Sequence, residues 1–138
     1  MKPTQFLNSY AAQMENPEFC FGIDNNQNPA EEWNTAKLRI LIPFLSPGPT
    51  RAVSGTYTVL NNIIKNSFGS DVFVDNCYLP SVADIQLFKR HGMPFLFGNV
   101  SHEFWHEYDL ISFSLSILPE KVHLVERYNR SNCQGISA

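Results

Sequence analysis

Cysteine is scarce in this 138-residue chain: Cys20, Cys77 and Cys133 stand far apart and form no C-x-x-C pair. That spacing argues against a paired-cysteine zinc site and against a redox dithiol. Three reduced thiols are expected, with Cys77 buried as a small hydrophobe at the end of a strand. Charge is scarce as well. Asp, Glu, Lys and Arg make up 17% of the residues, ten bases against thirteen acids, for a net charge of −3. A basic surface that grips nucleic acid through its phosphates is therefore not expected. The longest apolar runs, Leu38–Leu45 and Leu110–Leu118, fall far short of the ~20 residues that cross a bilayer, so no membrane span is expected. The first eight residues carry one positive charge and no apolar stretch, which predicts no secretory leader and a cytoplasmic compartment. Neither G-x-G-x-x-G nor G-x-x-x-x-G-K-[ST] occurs, so the two common glycine-rich phosphate loops are missing.

Apolar residues, by contrast, are plentiful, at 43% with 13% aromatic, enough for one folded domain with a real core. The chain changes character near residue 37. Residues 1–36 hold five acids, Glu15, Glu18, Asp24, Glu31 and Glu32, against Lys2 alone, with no sustained helical or strand period. They read as an acidic, polar arm, loosely docked and pinned at one point by Phe19, Phe21 and Trp33. Residues 37–130 read as the domain proper, and 131–138 as a flexible tail.

Within that domain, strand-like runs alternate with helical patterns, the signature of βαβ units around a parallel sheet. Leu38–Leu45 is an apolar, β-branched run fit for a buried central strand. After a Pro- and Gly-rich loop, Val59, Leu60, Ile63, Ile64 and Phe68 recur at helical spacing up to Gly69. Asp71–Tyr78 predicts a second strand. A helix then starts at Pro80 and Ser81, with Ser81 and Asp84 approximating a capping box and His91-Gly92 as its end. Phe95–Phe97 suggests a short extra strand, Asp109–Ile117 a further strand, and Pro119 opens a last helix carrying Val122, Leu124, Val125 and Tyr128. The expected fold is a three-layer, Rossmann-like α/β open sheet, mostly parallel, of about three to four strands with flanking helices.

Two places invite a chemical reading. The loop Ser46–Tyr57 lies between a strand and a helix, where doubly wound folds bind phosphates, and Ser54, Gly55, Thr56 and Tyr57 supply hydroxyls and a glycine at the helix start. The same residues also suit a plain helix cap. In the later strand, the small Ser112, Ser114 and Ser116 alternate with large apolar residues, as expected where one face meets a ligand or a closely packed helix. His102, Glu103 and His106 spell H-E-x-x-H, the string of a metal-dependent hydrolase when it lies on a long helix. Here it falls in a short linker. His91 reads as a helix-end residue and His123 as solvent-facing on the last helix. Asp71 and Asp75 flank the second strand without the placement of a phosphorylatable response-regulator site.

From Leu38 to about Arg130 the order and texture of the chain resemble a shortened form of the N-terminal, cobalamin-binding-like domain of radical S-adenosylmethionine enzymes. The carrying residues are Tyr78-Leu79-Pro80 before a helix, then Phe88-Lys89-Arg90-His91-Gly92-Met93-Pro94-Phe95-Leu96-Phe97-Gly98, and then Tyr108-Asp109-Leu110-Ile111-Ser112-Phe113-Ser114-Leu115-Ser116. The resemblance implies an accessory domain that positions cobalamin, another ligand or a partner without catalysis, with contacts at Ser54–Tyr57 and at Ser112, Ser114 and Ser116. It implies as partner a radical S-adenosylmethionine catalytic domain or subunit. The family's D-x-H-x-x-G would set Thr50, Ala52 and Gly55 at its three positions, so only the glycine remains and no histidine ligand comes from that motif. The C-x-x-x-C-x-x-C triplet of the iron–sulfur cluster is absent as well, so this chain carries no such cluster. With fewer strands than the family's five, a sheet edge would remain for self-association or another cover. Two other readings stay open: an interaction or structural protein that keeps the fold but binds no cofactor, and a small metal-dependent hydrolase using His102, Glu103 and His106.

Overall fold

A computed structural model describes residues 1–21, 29–47 and 56–113. Seven helices and strands lie in this part: α1 (Pro3–Tyr10), α2 (Pro29–Thr35), β1 (Leu38–Pro47), α3 (Thr56–Phe68), β2 (Val72–Leu79), α4 (Val82–Arg90) and β3 (Leu110–Ile111). Short 3-10 turns punctuate them at Ala11–Gln13, Pro17–Cys20, Gly69–Asp71 and Trp105–Glu107.

The three strands form one open sheet in the order β2-β1-β3, and both pairings are parallel. Leu38 pairs with Val72 and the register runs unbroken to Phe44 and Tyr78, while Ile40 and Leu41 pair with Leu110 and Ile111. A central parallel strand is buried on both faces and needs side chains that are apolar on both, which Ile40, Leu41 and Ile42 supply. Arg39 is accommodated in that strand because its charge is used. Its Nε donates to the Trp33 carbonyl at 3.0 Å, its guanidinium lies 5.1 Å from the Trp33 ring centre, and Asp109 stands 3.8 Å from Nη1.

Strand alternation divides the sheet cleanly. On one face Ile40, Ile42, Val72 and Val74 pack against Tyr57, Leu60 and Ile64, so α3 covers that side. On the other, Leu41 and Cys77 pack with Leu96, Tyr108, Trp33 and Ile111. The chain therefore builds three layers, the expected α/β open sheet with flanking helices. Cys77 is buried, as its position in the strand predicts.

Two expectations are corrected. Phe95–Phe97 adds no strand: Phe97 makes only an isolated antiparallel bridge with Phe104, and the aromatic rings of Phe95 and Phe97 turn into a core with Phe88 instead. The N-terminal segment, read as an arm pinned at one point, is built into that same core. Phe6, Leu7, Met14 and Cys20 pack with Leu87, Phe88, Met93, Phe95 and Phe97. The Phe6 ring lies 4.6 Å from that of Phe88, and Tyr10 stacks on His91 at 3.9 Å. Asp84 completes the junction. Ser81 Oγ accepts the Asp84 N–H, as a cap should, but the Asp84 carboxylate turns away from the helix and accepts the Glu15 and Asn16 N–H groups at 2.7 and 3.0 Å.

Candidate functional site

The connections of the sheet determine where a ligand crevice can lie. From β1 the chain returns through α3 on one face to reach β2. From β2 it returns through residues 80–109, whose Leu96 and Tyr108 cover the opposite face, to reach β3 on the far side of β1. The two crossovers thus run in opposite directions along the sheet and on opposite faces, and the sheet grows to either side of β1. In open parallel sheets ligands bind at such a reversal, outside the carboxyl ends of the strands concerned, which here are β1 and β3.

The predicted binding residues fall beside that reversal in sequence. Thr56 is the first residue of α3. Tyr57 is half-buried, with its hydroxyl 3.5 Å from the Val74 carbonyl and its ring edge-on to Phe44 at 6.0 Å. Ser112 is exposed, and its N–H donates to the Leu41 carbonyl at 2.9 Å, just past the end of β3. Ser54, Gly55, Ser114 and Ser116 lie outside the described residues, as do the predicted last helix with His123 and the tail 131–138.

A second polar constellation, which the sequence pattern does not single out, sits under the opposite face. Asp75 lies in the middle of β2 and is fully buried, so the reading that Asp71 and Asp75 flank this strand holds for Asp71 alone, which precedes Val72. Its carboxylate accepts the Val100 N–H at 3.1 Å, the Ser101 N–H at 2.9 Å, the Tyr108 hydroxyl at 2.9 Å and its neighbour's Asn76 N–H at 2.7 Å. The Asn99 N–H meanwhile donates to the Asn76 carbonyl, so three successive backbone amides, 99 to 101, converge on one short piece of β2. Such a concave run of N–H groups is a ready-made anion cradle, and here it is filled from within. Gly98 makes the approach possible: a Cβ there would overlap the Tyr108 hydroxyl and the Asp75 carboxylate. Ser101 Oγ stands 2.7 Å from the Tyr108 hydroxyl and accepts the Glu103 N–H at 3.1 Å, closing the network toward the surface.

Burial pushes the Asp75 carboxyl above the ordinary Asp range, while the Ser101 and Val100 amides and the Ser101 and Tyr108 hydroxyls pull it back. Tyr108 is held far above the usual phenol range, first by burial and then by the Asp75 charge. With its phenol so hard to ionise, Tyr108 acts here as a donor and not as a base. The one sequence signal for this network is an acid placed inside Val72-Phe73-Val74-Asp75, on the same face as the apolar Phe73 and Cys77.

The H-E-x-x-H string does not lie on a helix. His102 has φ of 56°, and residues 105–107 form a single 3-10 turn. The His102 ring turns inward, 5.8 Å from Phe21 and 6.4 Å from Phe97, with Nδ1 3.5 Å from Thr4 Oγ1. His106 turns outward to stack on Phe104, with Nε2 3.3 Å from Glu107. The i, i+4 alignment that would pair the imidazoles is therefore absent, and no three metal-ligating side chains come together among the described residues. His91 keeps the helix-end position expected of it, with Gly92 at φ 61° closing α4.

The chain matches no protein-family model, no curated protein and no solved structure. No helix among the described residues is long and apolar enough to cross a membrane.

Proposed function

We propose that this chain is a binding module, an accessory cobalamin-binding-like domain of a radical S-adenosylmethionine enzyme, which holds a ligand or partner in position and leaves the chemistry to its partner. The observation that supports this reading is the reversal beside β1, with α3 on one face and residues 80–109 on the other, because ligands of open parallel sheets bind at such a reversal and Thr56, Tyr57 and Ser112 stand next to it. The donor set limits how a corrinoid would be held. His91, His102 and His106 pack on Tyr10, Phe21 and Phe104, so the reading is of a corrinoid bound without an imidazole from them. The proposed compartment is the cytoplasm, and the proposed partner a catalytic domain or subunit that carries the iron–sulfur cluster.

Titration with cyanocobalamin and with nucleotides, followed by absorbance, tests the reading. Saturable binding that Gly55→Trp abolishes supports it. No binding at millimolar ligand overturns it in favour of an interaction protein that keeps the fold alone. One observation favours that second reading: Val59 and Ile63, one helical turn apart on α3, are both more than half exposed, as solvent-facing apolar residues at a docking surface would be.

A further inference from the structure

At the carboxyl ends of β1 and β2, on the α3 side, three aromatic rings meet. Phe44 and Tyr78, register partners across the two strands, stack at 5.4 Å with 20° between their planes, and Tyr57 of α3 sets its edge against Phe44. All three are half-buried, so each keeps some surface toward solvent. Two residues back from Tyr78 on the same face stands Asn76, 6% exposed. Its Nδ2 donates to the Tyr78 hydroxyl at 3.3 Å, and its Oδ1 is buried with no hydrogen-bond partner. A buried acceptor without a donor is costly, and native proteins keep few of them without a use.

We infer that Asn76 Oδ1 and the Phe44, Tyr57 and Tyr78 rings form a subsite for an adenine-type base, a flat bicyclic ring that carries an exocyclic amine. The rings supply stacking surface, which suits a large planar heterocycle. The orphan carbonyl oxygen requires an N–H donor on the ring's edge, which an amino group supplies and a bare hydrocarbon ring does not. Tyr78 acts as a positioning residue, because its hydroxyl accepts the Asn76 Nδ2–H and so fixes the plane of the amide that carries Oδ1. The inference rests on the reading of this end of the sheet as the ligand-binding end and places base recognition on the β2 side of β1.

The test uses the full chain with two probes, adenosine and N6,N6-dimethyladenosine, by isothermal titration. Adenosine is expected to saturate the protein, with the dimethyl compound, which has lost its amine donors, roughly three- to tenfold weaker, the ratio one neutral hydrogen bond gives. Asn76→Leu, which keeps the volume and removes the acceptor, is expected to weaken adenosine by the same factor and leave the dimethyl compound unchanged. Tyr78→Phe is expected to weaken adenosine to a lesser degree. Since the two probes are compared on the unaltered protein, the result stands even if a variant does not fold. Equal binding of the two probes, or no adenosine binding at millimolar concentration, overturns the inference. Cyanocobalamin titrated into the same samples separates the two levels. Gly55-dependent corrinoid binding alongside adenosine failure removes this subsite and keeps the module, whereas failure of both ligands removes both.

Discussion

Tyr108 donates its hydroxyl to Asp75 across 2.9 Å, and in doing so joins a residue two positions before β3 to the middle of β2, although β1 lies between those strands. The bond passes over the side of the sheet that Leu41 and Cys77 occupy. It makes residues 98–108 a strap across the sheet, fastened at one end by amides 99–101 and at the other by this phenol. Removing the donor leaves a buried carboxylate short of one partner and leaves Ser101 Oγ with the Glu103 N–H in place of two contacts. Tyr108→Phe is expected to cost about 1–3 kcal/mol, read as a lower urea midpoint at unchanged slope.

The same carboxylate sets a pH trend. Its folded pKa lies above the unfolded value of 3.8, so its contribution is fully present below that value and is lost as pH rises through the folded one. His102 works in the opposite direction. Burial lowers its pKa from 6.5, against the pull of Asp75, the Cys20 and Asn99 carbonyls and Glu103, so its contribution is present above pH 6.5 and lost on acidification. Urea unfolding of the wild type and Asp75→Asn from pH 4 to 8 tests the first effect, and the loss of the Asp75 pull on His102 changes the difference in the same direction. The stability of the wild type relative to the variant should fall as pH rises. A constant difference, or one that grows, would show that the carboxylate carries no raised pKa.

Gly98 and Gly92 make different demands. At Gly92 the backbone has φ 61° with open space around a Cβ, so Gly92→Ala should cost about 1 kcal/mol, the price of a left-handed conformation. At Gly98 the obstruction is the Asp75 and Tyr108 pair itself, held by four other bonds, and it yields only if the strap shifts. Gly98→Ala should therefore cost about 2–3 kcal/mol or more. It should also speed amide exchange at Val100 and Ser101, which Gly92→Ala leaves alone.

Residues 1–21 supply a third case. A loosely docked arm could lose Phe6 without consequence, but this ring is fully buried against Phe88 and Tyr10. Phe6→Ala is expected to cost about 3–5 kcal/mol. Asp84→Ala, which strips two acceptors from the Glu15 and Asn16 amides, should expose the 11–20 region to limited proteolysis while α4 keeps its Ser81 cap.

The contrast between these sites shows what the sequence could reveal. β1, β2, α3 and α4 announce themselves because their signals are local: an apolar β-branched run, a 3.6-residue period, Ser81 before a helix and Gly92 after it. The docking of Phe6 and Leu7 has no local signal, because their partners at Leu87 and Phe88 lie some eighty residues along the chain. Phe95–Phe97 carries strand propensity, yet its aromatic rings are claimed by the core with Phe88, and packing outweighs propensity. At the candidate site, Tyr57 and Ser112 could be placed from strand and helix order alone. Asn76 and Asp75 could not, since a polar residue in a strand announces only that it must be satisfied, not by which distant group.

His102 and His106 close the set, because two readings of them predict different numbers. A metal pair would make the two imidazoles equivalent, so losing either would empty the site and cost similar stability. The observed arrangement makes them unlike: His102 is half-buried between Phe21 and Phe97 and beside Thr4, whereas His106 is exposed against Phe104 and Glu107. His102→Ala should then lower stability by about 1–2 kcal/mol through lost packing and loosen Phe21, while His106→Ala should stay within about 0.5 kcal/mol of the wild type. Urea unfolding supplies both values. Metal analysis of protein purified without an affinity tag supplies the third, with less than a tenth of an equivalent of zinc or iron expected in all three proteins. Equal losses for the two variants, together with stoichiometric metal in the wild type alone, would restore the hydrolase reading.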